Sequence, residues 1–208
     1  MQCSHFITSA ASLLILAVAA SAQEIGAGNN IPNEEFDGTG GRINVDLSTP
    51  LTLPAGSYTA TLFKYDAGVA GDVVPFLAID SGGGLYQAIA VGDTLDIPGV
   101  VTDASAPFGG SANFTLAATT TIFAGISSQT QNPIFLDNIT GPFTDHEGAN
   151  QGGYTVAVGS TVPPDGSFSN PDLGRTYAFS VTVVPEPTAL AAMILGGLVL
   201  GVRRSRRT

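Results

Sequence analysis

Large and small, or apolar and polar, side chains alternate along several short stretches in the middle of the chain. In GSYTATLFKYDAG, the odd-numbered residues of 58–65 alternate with the even-numbered ones, so the two sets would lie on opposite faces of a strand. In TYAFSVTVV, the large residues at the odd positions of 177–183 alternate with smaller ones. A period of two residues is typical of a β strand whose two faces meet different environments. Between Gln23 and Val184, no apolar pattern of helical period extends beyond one turn. The pattern therefore predicts a β protein.

The same alternation, interrupted by Gly, Pro, Asn and Asp, predicts ten short strands. Their predicted ranges are 43–47, 57–65, 73–79, 86–91, 100–102, 112–116, 121–126, 134–136, 154–158 and 177–184. Two stretches rich in Gly or Pro, 141–153 and 162–174, are predicted to be exposed loops. Short strands at this spacing favour an all-β fold with a single antiparallel β-sandwich or jelly-roll-like domain.

The N-terminal segment has the pattern of a secretory signal peptide. A short polar start precedes the largely apolar residues 7–20, and Ala20, Ser21 and Ala22 form a small-x-small cleavage site. The start contains no Lys or Arg, which is unusual for such a signal. We expect residues 1–22 to direct the chain to the Sec translocon, and Gln23 to become the first residue of the exported protein.

The C-terminal segment is apolar for fourteen residues, 189–202, and ends in a cluster of arginines. As a helix it would be roughly 21 Å long against about 30 Å of membrane hydrocarbon, so a core helix or an interfacial segment is an alternative. The absence of any polar side chain favours a short transmembrane helix. The arginines favour a stop-transfer signal with a cytoplasmic C-terminus; they are Arg203, Arg204, Arg206 and Arg207.

Pro185, Glu186 and Pro187 directly precede this helix, and the three parts together resemble the PEP-CTERM sorting signal of Gram-negative bacteria. The resemblance covers about the last 24 residues, 185–208, and does not extend into the body, 23–184. It implies recognition of the tripeptide by an exosortase, a membrane thiol protease-transpeptidase. It also implies passage from the inner membrane to the cell surface or the exopolysaccharide matrix. We expect the two prolines to keep the tripeptide extended and outside any strand ladder.

Composition excludes several classes of function. Residues 23–187 contain three basic residues against all 17 acidic ones, a formal charge of −14, which argues against a nucleic-acid partner. The only cysteine, Cys3, lies in the signal peptide, so the body has no disulfide and no thiolate chemistry. His146 is the one histidine of the body, which excludes most familiar catalytic and zinc-binding constellations.

Two clusters of acidic residues are candidate metal sites. Asp145, His146 and Glu147 adjoin in a Gly-rich stretch and have the ligand types of a divalent-metal site, with a solvated loop as the alternative. Asn29 to Gly41 concentrates oxygen ligands, and Glu34, Glu35 and Asp37 are the candidate calcium ligands there. The alternative for this stretch is a flexible segment after the signal peptide. Apart from calcium at these residues, the sequence predicts no cofactor.

Two further sets of side chains could contact an external surface. Thr119, Thr120 and Thr121 form a single triplet, which is too little for the regular threonine array of an ice-binding face. Tyrosines on one exposed face could stack on sugars, although tyrosines in strands are mostly core residues. The five tyrosines are Tyr58, Tyr65, Tyr86, Tyr154 and Tyr177.

These observations favour a structural or adhesive protein at the cell surface or in the exopolymer matrix, rather than an enzyme. A carbohydrate- or calcium-binding extracellular module is the second hypothesis, and a row of exposed tyrosines would favour it. A secreted hydrolase is the third, and it would need a pair of carboxylates about 5 to 10 Å apart.

Overall fold

The computed structural model describes residues 21–28, 35–36, 41–137, 143–147, 155–163 and 176–186. This part of the chain forms β strands joined by turns and contains no helix, and all of its strand pairs are antiparallel. The first eight strands are β1 (Gln23–Ile25), β2 (Glu35–Phe36), β3 (Arg42–Asp46), β4 (Leu51–Leu53), β5 (Gly56–Ala67), β6 (Gly71–Gly82), β7 (Leu85–Val91) and β8 (Leu95–Ile97). The next eight are β9 (Val101–Pro107), β10 (Asn113–Leu116), β11 (Thr120–Ser128), β12 (Phe135–Asp137), β13 (Phe143–Glu147), β14 (Thr161–Val162), β15 (Thr176–Tyr177) and β16 (Phe179–Pro185).

The strands form three sheets. A five-stranded sheet has the order β1-β16-β5-β10, with β9 also paired to β5. An eight-stranded sheet has the order β13-β3-β11-β6-β7-β14, with β4 paired to β11 and β8 paired to β6. A small third sheet has the order β15-β12-β2. The prediction of an all-β antiparallel fold is thus confirmed.

The main hydrophobic core lies between the two large sheets. Phe63 and Phe179 from the five-stranded sheet belong to the same buried cluster as Leu77 and Ile122 from the eight-stranded sheet. All four side chains are at most 1% exposed. Two sheets that share one apolar core in this way give the fold its sandwich-like character.

A second apolar cluster covers the other face of the eight-stranded sheet. Ile43, Phe76, Tyr86 and Val162 contribute to it from strands β3, β6, β7 and β14 of that sheet, and Val156 joins the cluster from an irregular segment. Neighbours such as Phe76 and Leu77 point to opposite faces of the strand, and each is fully buried. The eight-stranded sheet therefore buries apolar side chains on both of its faces.

Several predicted elements differ from the observed ones. Residues 155–157 are irregular and 158–159 form a turn, so the strand predicted at 154–158 is wrong in its described part. The loop predicted at 141–153 contains β13, which pairs with β3 at the sheet edge. The strand predicted at 177–184 is interrupted by a bend at Ala178, which separates β15 from β16. Strands β1, β4 and β8 have three residues each, too few to display an alternating pattern.

The predicted signal-peptide core, 7–20, and the predicted transmembrane helix, 188–202, lie outside the described residues. So do Ala20 and the four C-terminal arginines, whereas Ala22 and Gln23 are described. Within the described ranges, no helix is long and apolar enough to cross a membrane.

Candidate functional site

The last of the described strands, β16, runs directly into the predicted sorting motif. Pro185 is the final residue of β16 and lies opposite Tyr58 of β5. The backbone amide of Glu186 then donates a hydrogen bond to the carbonyl oxygen of Ser57, at 2.9 Å. The hydrogen-bonded ladder between β16 and β5 therefore continues to Glu186.

The side chain of Glu186 is also bound by the sheet. The hydroxyl of Thr59 donates to Oε1 of Glu186 at 2.8 Å, and it lies 3.0 Å from Oδ1 of Asn113 on the neighbouring strand. Glu186 remains exposed, and its carboxylate lies on the outer face of the five-stranded sheet. Two residues of β5, Ser57 and Thr59, thus contact the acidic residue of the motif.

The expectation that the prolines keep the tripeptide out of the strand ladder is wrong for Pro185 and Glu186. Proline lacks an amide hydrogen, but a strand tolerates it at an end, where no ladder bond needs that donor. Glu186 has an amide hydrogen and donates it to Ser57. Pro187, the third residue of the motif, lies outside the described residues.

The predicted N-terminal junction lies in the same sheet. Gln23 opens β1 and lies opposite Val183 of β16. Oε1 of Glu24 accepts from Nζ of Lys64 at 2.7 Å and from the hydroxyl of Ser180 at 2.8 Å. The hydrogen bond from Lys64 lowers the pKa of Glu24 most; burial opposes it, and Ser180 and the charge of Lys64 lower it further. The residues that would follow signal cleavage are thus part of the folded sandwich.

The metal-site candidates are only partly described. The backbone of Asp145, His146 and Glu147 belongs to edge strand β13 rather than to the predicted loop. Glu35 lies in β2, whereas Glu34 and Asp37 are outside the described residues. No group of three or more His, Cys, Asp or Glu residues that could hold a metal ion occurs in the part of the chain that the structure describes. Calcium binding at Glu34, Glu35 and Asp37 stays a prediction.

Four of the five tyrosines are core residues. Tyr58, Tyr65, Tyr86 and Tyr177 are between 1% and 7% exposed, and Tyr154 is outside the described residues. Burial raises the pKa of Tyr58 and of Tyr65 above the ordinary value of 10. These four rings therefore form no exposed row on which a sugar could stack.

The threonine triplet makes only local contacts. The hydroxyl of Thr120 donates to the carbonyl oxygen of Ala118 at 2.8 Å, and that of Thr121 lies 3.0 Å from the hydroxyl of Thr52 on β4. Thr119 precedes β11 and is not part of the strand. These contacts belong to a strand start and one cross-strand pair.

Two buried carboxylates have structural partners. Asp46 accepts hydrogen bonds from the amide of Ser48 and the hydroxyl of Thr49, both at 2.7 Å, in the turn after β3. Asp66 accepts from the amide of Asp103 at 2.6 Å. Asp103 has a positive φ of 51°, a conformation that Asp adopts more readily than most residues. Both carboxylates therefore stabilise backbone at loops or irregular strand positions.

Sequence reasoning missed the polar surface beside Glu186. The hydroxyls of Ser57 and Thr115 lie 3.3 Å apart, and Thr59 contacts Asn113 in the next cross-strand pair. The alternating Ser57, Thr59 and Thr61 in the sequence were the available signal for a polar outer face. Nothing in the sequence indicated that β16 and Glu186 would lie against these residues.

Comparison with known proteins gives no family for this chain. No protein-family model matches it. No curated protein matches it. Among solved structures, the "D431N Mutant VP2 Protein of Infectious Bursal Disease Virus; Derived T=1 Particles" aligns at 11% identity and a TM-score of 0.16. The alignment covers 81% of this chain and 36% of the viral chain, and at this score it carries no argument about fold or function.

Proposed function

We propose that this chain is an exported structural or adhesive protein of the cell surface or exopolysaccharide matrix. In this proposal the Sec translocon exports it, and residues 189–202 anchor it briefly in the inner membrane. An exosortase then cuts near Pro185, Glu186 and Pro187. The observation that carries the proposal is the position of the motif: every described strand lies between Gln23 and Pro185.

Both processing points therefore lie at the limits of the described strands. A cut between Ala22 and Gln23, together with a cut at the C-terminal tripeptide, would leave β1 to β15 and most of β16 intact. Only Pro185 belongs both to β16 and to the tripeptide, so cleavage there disturbs no more than the end of one strand.

The surface chemistry is consistent with a matrix protein. The body has a formal charge of −14, which favours solubility outside the cell. The outer face of the five-stranded sheet presents hydroxyl and amide groups, including Ser57, Thr115 and Asn113, which could form hydrogen bonds with a hydrated polysaccharide. The proposed role requires no cofactor.

Mass spectrometry of protein extracted from the cell surface tests the proposal. We expect an N-terminal peptide that begins at Gln23 and a C-terminal peptide that ends within or next to the tripeptide. Glu186→Ala should leave precursor in the inner membrane because it removes the charge of the motif. Asp96→Ala is the control, since it removes an exposed carboxylate from β8, which lies away from both proposed processing points.

Two results would contradict parts of this proposal. Intact peptides that span residues 189–203, recovered from the mature surface form, would show that the tail is a permanent anchor. Equal processing of Glu186→Ala and the unchanged chain would remove Glu186 from the recognition step.

A further inference from the structure

We propose that the folded domain binds its own sorting motif, so that the sheet and the processing protease compete for Glu186. The identity of the protease rests on the proposed function above. The binding of Glu186 does not depend on that proposal: within the described residues, Ser57 and Thr59 contact its amide and its carboxylate respectively.

The sheet and the protease compete because the tripeptide has few groups that can form a hydrogen bond or an ion pair with either of them. Its two prolines have no amide hydrogen, so the amide of Glu186 is the only backbone donor of the motif. Proteins that bind an extended peptide use its backbone groups for affinity and its side chains for specificity. In the folded domain, β5 already uses both the donor and the one charged side chain.

The short length of chain between Glu186 and the predicted membrane helix also favours competition between the sheet and the protease. Only Pro187 and Thr188 separate Glu186 from the apolar run 189–202. Three residue steps of extended chain span at most about 11 Å, so a bound Glu186 would lie close to the hydrocarbon. A protease that must contact both sides of the motif needs more free chain than this, and release of the strand end would supply it.

The structure indicates where that release would stop. The register between β16 and β5 is irregular between Thr182 and Val183, so the last residues of β16 form a separate short ladder. Val183 is fully buried, whereas Val184 and Pro185 are half-buried and Glu186 is exposed. We therefore infer that residues 184–186 detach as one segment while Val183 stays in the core.

Thr59→Val tests the role of Thr59 as a positioning residue. The variant keeps the tripeptide and the strand-forming shape of residue 59, but it loses the hydroxyl that donates to Glu186. We expect conversion of precursor to mature protein, followed by pulse-chase labelling in the producing cell, to accelerate about three- to tenfold, as the loss of one net hydrogen bond implies. Thr52→Val is the matched control, because Thr52 forms a similar hydroxyl pair with Thr121 in the other large sheet.

A second measurement does not depend on the protease. The full chain in detergent micelles, labelled with 15N-glutamate, has five glutamate amides, and the Glu186 signal is the one that disappears in Glu186→Gln. We expect hydrogen exchange at Glu186 to be slowed in the unchanged chain and in Thr52→Val. We expect it to be faster in Thr59→Val, because the retained bond to Ser57 is then less often formed.

The possible outcomes separate the two proposals. An unprotected Glu186 amide in the unchanged chain, or processing of Thr59→Val that is no faster than that of Thr52→Val, would overturn the inference. Slower processing of Thr59→Val would also overturn it, because the bound motif would then assist the protease. If the unchanged chain never loses its tail, the proposed function fails, and hydrogen exchange still decides whether the domain binds Glu186.

Discussion

The two large sheets differ in what covers their faces. The five-stranded sheet has one face in the main core, and its other face carries exposed polar residues such as Ser57 and Thr115. The eight-stranded sheet contributes Leu77 to the main core, and its other face contributes Phe76 to the second cluster. We call the first the outer sheet, because one of its faces is exposed, and the second the inner sheet, because it buries apolar side chains on both of its faces.

This difference explains how each sheet appears in the sequence. In β5, exposed or half-buried residues alternate with buried ones at positions 57–60, as expected of a sheet with one wet face. In β6, residues 75–78 are all buried, because both faces of that strand are covered. Strand β7 of the same sheet still alternates between buried and less buried residues over Leu85–Val91, so the alternation is lost only where both faces of a strand are covered.

Phe76→Ala should have the largest effect, because it tests whether the second cluster is a true core. We expect a loss of about 3–5 kcal/mol in the free energy of unfolding, the usual range for a buried phenylalanine. Phe63→Ala, in the main core, is the reference and should cost about the same. Chemical denaturation of both variants measures the comparison. A cost for Phe76→Ala under about 1 kcal/mol would mean that the second face is not buried in solution.

Gly125→Ala should have an intermediate effect. A Cβ atom at Gly125 would overlap the ring of Phe76 and would lie 2.8 Å from the backbone oxygen of Asn44, so the inner sheet would have to shift. We expect a loss of about 1–3 kcal/mol. The control is Gly56→Ala in the outer sheet, where the nearest atom, on the ring of Tyr58, is 3.5 Å away. In thermal unfolding, the melting temperature of Gly125→Ala should be well below that of Gly56→Ala. Equal melting temperatures would contradict the tight packing around Gly125.

Lys64→Met should have the smallest effect, since it removes a half-exposed ion pair from the outer sheet. The side chains of Lys64 and Glu24 are 36% and 46% exposed, so solvent screening limits the contribution to under about 1 kcal/mol. The pKa of Glu24 lies below its ordinary value of 4.5, so its contribution is present above that pH and is lost as the pH falls through the folded-state pKa.

Melting temperatures measured from neutral pH to well below 4.5 check this sign. We expect the difference between the unchanged chain and Lys64→Met to shrink as the solution becomes more acidic. Added salt at neutral pH should also reduce it. A difference that grows toward low pH would be the wrong sign for this ion pair.

The sequence predicted strands in both large sheets: the predicted ranges 57–65, 86–91 and 121–126 lie within β5, β7 and β11. Strands β5 and β16 were predicted from their alternation, whereas the three-residue strands β1, β4 and β8 contain too few positions to show one. The alternation around Val156 was misleading in a different way. Val156 is indeed buried, but it covers the second cluster from an irregular segment rather than from a strand.

The candidate site also combines features that the sequence predicts with a contact that it does not predict. The tripeptide and its neighbouring apolar run are local patterns, so the sequence alone suggested their role. The contact between Thr59 and Glu186 joins residues 127 positions apart, and it depends on the pairing of β16 with β5. No local property of either residue indicates that pairing, because strand order is a property of the whole sandwich.

The pairing of β1 with β16 also has a mechanical consequence. Since Gln23 lies opposite Val183, a force that pulls these two ends apart opens the hydrogen bonds between the strands one after another, starting at that pair. A force that enters at the far pole of the sandwich and leaves through Glu186 loads the bonds of β16 to both β1 and β5 simultaneously, in shear. The load that the domain withstands is therefore set by the point at which tension enters it.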